Sequence, residues 1–355
     1  MINVLVVDDS SVTREHLQGI LNAEPAIQVM GTAKNGREAI EFVQYQKPDV
    51  ITMDAMMPEM DGFEATRYIM ETSPVPIIIV SGSIAHDEIS TTMQALEVGA
   101  VAVVEKPSGM GHPEAHEMAK KLVQMVKLMS EVKLVRRWPR GRHAEVALPA
   151  REPAKPAYAS AEIKLVAIGT STGGPPVLHT ILAGLPKNFA VPIVIVQHIA
   201  PNFLPGMVAW LGQSTGFPTH IATHGEQLVA GHAYLAPDTF HMGVGRDSRI
   251  VLSSDEPEDG QRPAVAHLFR SVAQAFGKHA VGVLLTGMGR DGAAELKLMR
   301  EQGALTIVQD HESAVVYGMP GEAVKLGAAV DVLPPHEIVA RLHRVVEGQV
   351  RHRLS

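Results

Sequence analysis

The chain has 355 residues, of which 46% are hydrophobic and 19% charged, enough apolar material for two cores and without the polar bias of disorder. It contains no cysteine, which excludes disulfides, thiolate metal sites and a cysteine nucleophile, and fits a reducing compartment. A formal net charge of −7 argues against a large nucleic-acid footprint, and apolar runs far shorter than a bilayer span leave a soluble, cytoplasmic protein, not membrane-inserted, as the expectation.

In the first part of the chain, short runs rich in Val and Ile recur at Ile2 to Val7, Ile27 to Gly31, Val50 to Met53, Ile77 to Val80 and Val101 to Val104. Each reads as a buried strand. The amphipathic stretches Arg37 to Gln46 and Phe63 to Glu71 read as helices between them, the alternation a doubly wound parallel sheet requires. A last helix is expected from about Glu114 to Lys133, with Met118, Leu122, Met125, Val126 and Met129 on one face.

From Arg136 to Ala161 the periodicity fails. Pro139, Pro149, Pro153 and Pro156 break helices, and Arg136, Arg137, Arg140 and Arg142 stand among small residues, as in a solvated tether. The domains are therefore placed at 1–130 and 162–355, with an interdomain linker at 131–161. Strand-like runs resume at Lys164 to Ile168, Ile193 to Val196, Val281 to Leu285, Leu305 to Val308 and Ala328 to Val332. Helical patterns at Pro263 to Phe276, Gly292 to Glu301 and Pro335 to Val346 imply a second parallel sheet. The fold class is thus α/β, with two doubly wound parallel-sheet domains.

Asp8 and Asp9 follow the first strand and Asp54 the third, so three carboxylates gather at the carboxyl edge where such sheets bind ligands. Crowded carboxylates repel unless a cation neutralises them, and a hard divalent ion, Mg2+ foremost, is the natural partner. An aspartate there can also attack a phosphoryl group. Ser81 and Lys106 close two further strands on the same edge, and both suit phosphate oxygens. Singly, each has a plainer role as a cap, turn or surface charge; five at successive strand ends favour the chemical reading.

VLVVDDS, MDAMMPEMDGFEA and VVEKP, within Met1 to Lys127, resemble the receiver domain of two-component response regulators. The resemblance implies a flavodoxin-like fold, with Asp54 as phosphoacceptor, Asp8, Asp9 and the Met56 carbonyl as metal ligands, Ser81 as switch hydroxyl and Lys106 as phosphate partner. It also implies a histidine kinase as phosphodonor. One departure is Ser81-Gly82-Ser83-Ile84, where receivers of the kind this one most resembles usually carry a second serine followed by Leu-Thr.

In the second part, Gly169-Thr170-Ser171-Thr172-Gly173-Gly174 joins a strand to a helix. A serine on such a turn suits a nucleophile beside an oxyanion hole, and equally a phosphate cradle or a helix cap. It lacks the GxGxxG spacing of a dinucleotide loop. The next strand ends in Gln197-His198, offering a general base, and Asp291 follows a later strand, either capping a helix or orienting that histidine. Three such groups past strand ends of one sheet favour a triad. Backbone N–H groups of Thr172 and Met288 are oxyanion-hole candidates.

GTSTGGP, QHIAPNF, LTGMGRDGA and VVYGMPGEAV, between Glu162 and His343, resemble the catalytic domain of chemotaxis protein-glutamate methylesterases, α/β hydrolase-type with Rossmann-like character. The resemblance implies hydrolysis of glutamate methyl esters on chemoreceptors, deamidation of certain receptor glutamines, and Ser171, His198 and Asp291 as the triad. No cofactor is expected for this half. A response regulator whose second domain only binds nucleic acid is disfavoured, because no basic helix-turn-helix pattern is evident.

Overall fold

Val4 to Val7 are almost wholly removed from solvent, and a run apolar on both faces belongs at the centre of a parallel sheet. In the computed structural model it is β1 (Ile2–Val7), flanked by β2 (Ile27–Ala33) and β3 (Val50–Met53), with β4 (Ile77–Ser81) and β5 (Ala102–Glu105) beyond. All pair in parallel in the order β2-β1-β3-β4-β5, the flavodoxin-like order whose ligand crevice lies at the carboxyl ends, where β1 meets β3. The residues described are 1–81, 100, 102–107, 115–131, 162–199 and 203–353, with backbone alone for 347–353. Val101, the Gly82-Ser83-Ile84 departure and the linker residues 132–161, with their arginines, lie outside them.

Helices α1 (Ser11–Asn22), α2 (Gly36–Tyr45) and α3 (Gly62–Thr72) each start at a side-chain cap. Ser10 accepts from Thr13 N, Asn35 from Glu38 N, and Asp61 from Phe63 and Glu64 N, which satisfies donors that helix geometry leaves orphaned. Neither Asp8 nor Asp9 caps α1, so both are left for other work. In α4 (Ala115–Ser130), Leu122, Val126 and Met129 are buried, with Met118 and Met125 half-buried beside them.

The chain divides into two compact units, Met1–Glu145 and Val146–Ser355. The second is built on a seven-stranded parallel sheet comprising β6 (Leu165–Thr170), β7 (Ile193–Gln197), β8 (Thr219–Ile221), β9 (Ala233–Leu235), β12 (Ala280–Leu284), β13 (Leu305–Gln309) and β14 (Asp331–Leu333). Its order is β14-β13-β12-β6-β7-β9-β8. From β6 the chain moves outward to β7 and returns to β12 on the opposite side, so the topological switch falls at β6.

An antiparallel hairpin of β10 (His241–Val244) and β11 (Ile250–Ser253) supplies Met242, Val244 and Ile250 to a core shared with Leu268, Phe269 and Val272 of α7 (Val265–Phe276). The remaining helices are α5 (Gly174–Gly184), α6 (Leu204–Thr215), α8 (Ala293–Glu301), α9 (Met319–Lys325) and α10 (Pro335–Arg353). The last strand begins at Asp331 rather than Ala328, because the Ala328 N–H turns back to Ala323 O and closes the end of α9. Among the described residues no helix is long and apolar enough to cross a membrane.

Candidate functional sites

In the first unit, residues that follow β1, β3 and β5 meet at one edge. Lys106 Nζ lies 2.7 Å from Asp8 Oδ2 and 3.1 Å from Asp54 Oδ2. Asp8 and Asp54 are buried, and the ligand oxygens of Asp8, Asp9 and Asp54 all lie within 4.8 Å of one another. Despite its ion pair with Lys106, Asp8 Oδ2 accepts no aligned hydrogen bond among the described residues. An all-oxygen set containing a buried carboxylate oxygen with no directed donor fits a hard divalent cation.

Burial pushes the Asp54 carboxyl up to about 6, with the Lys106 ammonium opposing and the Asp8 charge reinforcing that rise. Burial by itself would lower the Lys106 ammonium, but its close ion pair with Asp8 and the charge of Asp54 more than offset this and raise it. A buried aspartate between a lysine and a second carboxylate is poised to change charge in response to a ligand.

Ser81 is buried at the end of β4, and its carbonyl accepts from Lys106 N at 2.9 Å, tying these two positions together. Arg14 donates to the carbonyls of Asp8 at 2.6 Å and Asp9 at 3.0 Å, fixing the loop that carries both acids. Met56 is exposed just past Asp54. Gly62 opens α3 against the Asp54 carbonyl oxygen, which a Cβ at that position would approach to 2.1 Å, so only glycine allows this close seat.

In the second unit, β6 and β7 pair Thr170 with Gln197, which sets Ser171 and His198 side by side one residue past the sheet. His198 N donates to Thr170 O at 3.0 Å. The ring Nε2 of His198 lies 2.9 Å from Asp291 Oδ2, although this nitrogen is not aligned as a hydrogen-bond donor. Contacts of this kind commonly straighten only when substrate is bound. Nδ1 is then the ring nitrogen not engaged on the aspartate.

Asp291 does not cap its own helix, since α8 starts from Gly292 in the left-handed region with no side-chain cap. Its carboxylate instead accepts from Val265 N at 2.7 Å and Ala266 N at 2.8 Å, at the N-terminus of α7. A helix N-terminus favours negative charge, so α7 both holds and stabilises the carboxylate facing His198. Thr172 and Met288 lie in the turns after Ser171 and Gly287, and among the described residues neither backbone N–H donates to a backbone acceptor.

Two buried polar residues organise the site without having drawn attention in the sequence. Gln197 donates to the carbonyls of Ser171 and His198. Thr286 accepts from Ser171 N through its carbonyl and donates Oγ1–H to Thr172 O at 2.9 Å, while Oγ1 accepts from Val316 N at 2.9 Å. The available signal was a polar side chain at the end of an otherwise apolar strand, for Gln197, or two residues past one, for Thr286. Thr286→Val keeps the shape but takes the hydroxyl from the part-buried Thr172 carbonyl and the buried Val316 N–H. It is expected to cost about 2–4 kcal/mol of second-unit stability, read as a lower urea midpoint; an unchanged midpoint would show that water replaces the hydroxyl.

Residues 4–116 match the family model for the response regulator receiver domain, and residues 166–342 match that for CheB methylesterase. The protein-glutamate methylesterase/protein-glutamine glutaminase 4 of Geobacter metallireducens is 55% identical over 345 residues, covering 96% of this chain and 98% of its own length. A protein of Nitrosospira multiformis named protein-glutamate methylesterase/protein-glutamine glutaminase is 53% identical over 356 residues, covering both chains completely. The solved CheB methylesterase catalytic domain of Thermotoga maritima is 35% identical with a TM-score of 0.50, covering 52% of this chain and 100% of that domain. With similarity that runs the full length of both partners, the chain belongs to the protein-glutamate methylesterase/protein-glutamine glutaminase family, a response regulator receiver joined to a CheB methylesterase domain.

Proposed function

We propose that the chain hydrolyses glutamate methyl esters of chemoreceptors and deamidates particular receptor glutamines, and that phosphorylation of Asp54 raises this activity. The receiver comprises residues 1–130 and the catalytic domain residues 162–355, joined by the linker at 131–161. The observation that carries the chemistry is the 2.9 Å approach of His198 Nε2 to an Asp291 carboxylate anchored on α7, with Ser171 on the adjoining strand end.

Ser171 Oγ attacks the ester carbonyl as His198 Nδ1 takes its proton, and the imidazolium that forms is stabilised by Asp291. The N–H groups of Thr172 and Met288 stabilise the tetrahedral oxyanion. The protonated His198 gives its proton to the leaving methoxide, so methanol departs. Water, deprotonated by His198, then attacks the acyl-serine, releasing the receptor glutamate and restoring Ser171. With a glutamine side chain the same steps expel ammonia.

In the receiver, Asp54 takes the phosphoryl group from a histidine kinase. Asp8, Asp9, Asp54 and the Met56 carbonyl would hold Mg2+, which when bound offsets negative charge on the carboxylates and phosphoryl oxygens. Lys106 pairs with a phosphoryl oxygen and Ser81 donates to another. The setting is cytoplasmic, with kinase and receptor as protein partners and no nucleic acid.

Methanol release from methylated receptor membranes tests both halves in wild type, Ser171→Ala and Asp54→Ala, each with and without a small-molecule phosphodonor and Mg2+. Ser171→Ala is expected to abolish release, and Asp54→Ala to lose stimulation by the donor. Release by Ser171→Ala at the wild-type rate would overturn the nucleophile, and undiminished stimulation in Asp54→Ala would overturn the phosphoacceptor.

A further inference from the structure

We infer that Gln197 is a positioning residue that aims the Thr172 N–H at the oxyanion and ties the nucleophile loop to the base loop. This rests on the reading of Ser171 as nucleophile and His198 as base. Thr170 and Gln197 are the last residues of β6 and β7 and face each other in register, so the side chain at 197 stands beside the turn that opens at Ser171. Gln197 is 5% exposed, and its Nε2 donates to Ser171 O at 2.8 Å and to His198 O at 2.7 Å. Only the nitrogen end of a carboxamide can face two carbonyl oxygens, which settles its orientation.

In a trans peptide the C=O and the following N–H point in opposite directions. Holding the Ser171 carbonyl on Gln197 therefore sets the direction of the Thr172 N–H, the proposed oxyanion donor. The same carbonyl also accepts from Gly174 N at 2.9 Å, and the peptide on the other side of Ser171 is held by Ser171 N donating to Thr286 O at 3.0 Å. Both planes flanking the nucleophile are thus clamped, and the second N–H of the same carboxamide fixes the backbone carbonyl of the base.

The other end of that amide is unlike an ordinary structural glutamine. Oε1 is buried and has no hydrogen-bond partner among the described residues, whereas buried polar atoms are normally satisfied. It lies against Gly174, where a Cβ would come within 2.2 Å of Oε1 and 2.3 Å of Thr170 Oγ1. The donor end is committed to two loop carbonyls, the acceptor end is left bare, and a residue without a side chain makes room for it. That pattern serves the geometry of the loops rather than the packing of the amide.

Gln197→Leu keeps the approximate volume and removes both donors. Its kcat for methyl-ester hydrolysis is expected to fall about 10²–10³-fold, the scale of losing an oxyanion donor, with KM within about threefold of wild type. Gln197→Glu supplies a readout that a packing role would not move. Its carboxyl can donate to a loop carbonyl only while protonated, so kcat should fall with rising pH through an ionisation that wild type lacks. Gly174→Ala favours the helix by propensity yet should reproduce the kcat loss by displacing the carboxamide.

If Gln197→Leu keeps kcat within about threefold of wild type, or if Gln197→Glu follows the wild-type pH profile, the inference is overturned. Ser171→Ala run alongside separates the two readings. Turnover by Ser171→Ala would sink the nucleophile itself, whereas an inert Ser171→Ala beside a fully active Gln197→Leu would sink only the role given to Gln197.

Discussion

Asp291→Asn is expected to lower kcat by about 10³–10⁴-fold and, unlike most active-site changes, to destabilise the second unit as well. Two backbone donors hold the two carboxylate oxygens, Val265 N at 2.7 Å on Oδ2 and Ala266 N at 2.8 Å on Oδ1, and the His198 Nε2 lies 2.9 Å from Oδ2. An asparagine has one acceptor and one NH2 group, so every rotamer turns a donor toward a donor. With NH2 in the Oδ2 position, His198 must expose its unprotonated Nε2 to the amide, and the tautomer that leaves Nδ1 free to take a proton is lost. With NH2 in the Oδ1 position, the first turn of α7 keeps an unpaired Ala266 N–H. Either way a buried group goes unsatisfied, at about 1–3 kcal/mol, and the charge that the α7 N-terminus stabilises is gone. Steady-state methanol release and thermal unfolding of the same preparation check the two effects together. Retention of kcat within about tenfold would remove Asp291 from the proposed triad, and a lowered kcat with an unchanged melt would mean that α7 is held without it.

The pattern of hydrophobic residues made both parallel sheets legible because each central strand is apolar on both faces. Ile193 to Val196 and Val4 to Val7 leave no other reading in so short a run. What it concealed follows from the same rule. Strands β8 and β9 have three residues each, too few to show a period, and Thr219 to Ile221 is only half-buried at the edge of the sheet. Helix α1 buries just Leu17 and Leu21, a stripe too narrow to stand out from its polar neighbours. At the sites, position past a strand end singled out Ser171, His198, Asp291, Asp54 and Lys106, since side chains there project from the carboxyl edge. It could not show that Asp291 is held by α7 rather than by its own helix. That contact joins residues 25 and 26 positions apart, and a three-dimensional fold alone brings them together. Gln197 and Thr286 were hidden for a related reason, because their work is on backbone carbonyls and N–H groups that no sequence pattern marks.

Asp54→Asn is expected to stabilise the receiver in the absence of divalent cations and to cancel most of the stabilisation they confer. Burial, reinforced by Asp8 and opposed by Lys106, raises the folded-state Asp54 carboxyl from 3.8 to about 6. A carboxyl with a raised folded value binds its proton more tightly in the native state, so below pH 4 it exacts no penalty. Stability then falls as pH climbs from about 4 to about 6, and above that the loss is constant. Two pH units of displacement correspond to roughly 3 kcal/mol. The neutral asparagine removes that penalty but also one partner of Lys106, which keeps Asp8 at 2.7 Å, so the net gain at pH 7 should be about 1–3 kcal/mol. Magnesium reverses the ranking, because a cation among Asp8, Asp9 and Asp54 draws on the same negative charge that is costly without it, and stabilises by mass action in proportion to its affinity. Thermal unfolding of the full chain in chelator and in Mg2+ at pH 7, with a series from pH 4 to pH 7 in chelator, checks each part. The first-unit transition of wild type should fall across that pH range while that of Asp54→Asn stays nearly level, and Mg2+ should raise wild type by several degrees more than the variant. A variant that melts below wild type in chelator would show that Lys106 gains more from the Asp54 carboxylate than burial costs it.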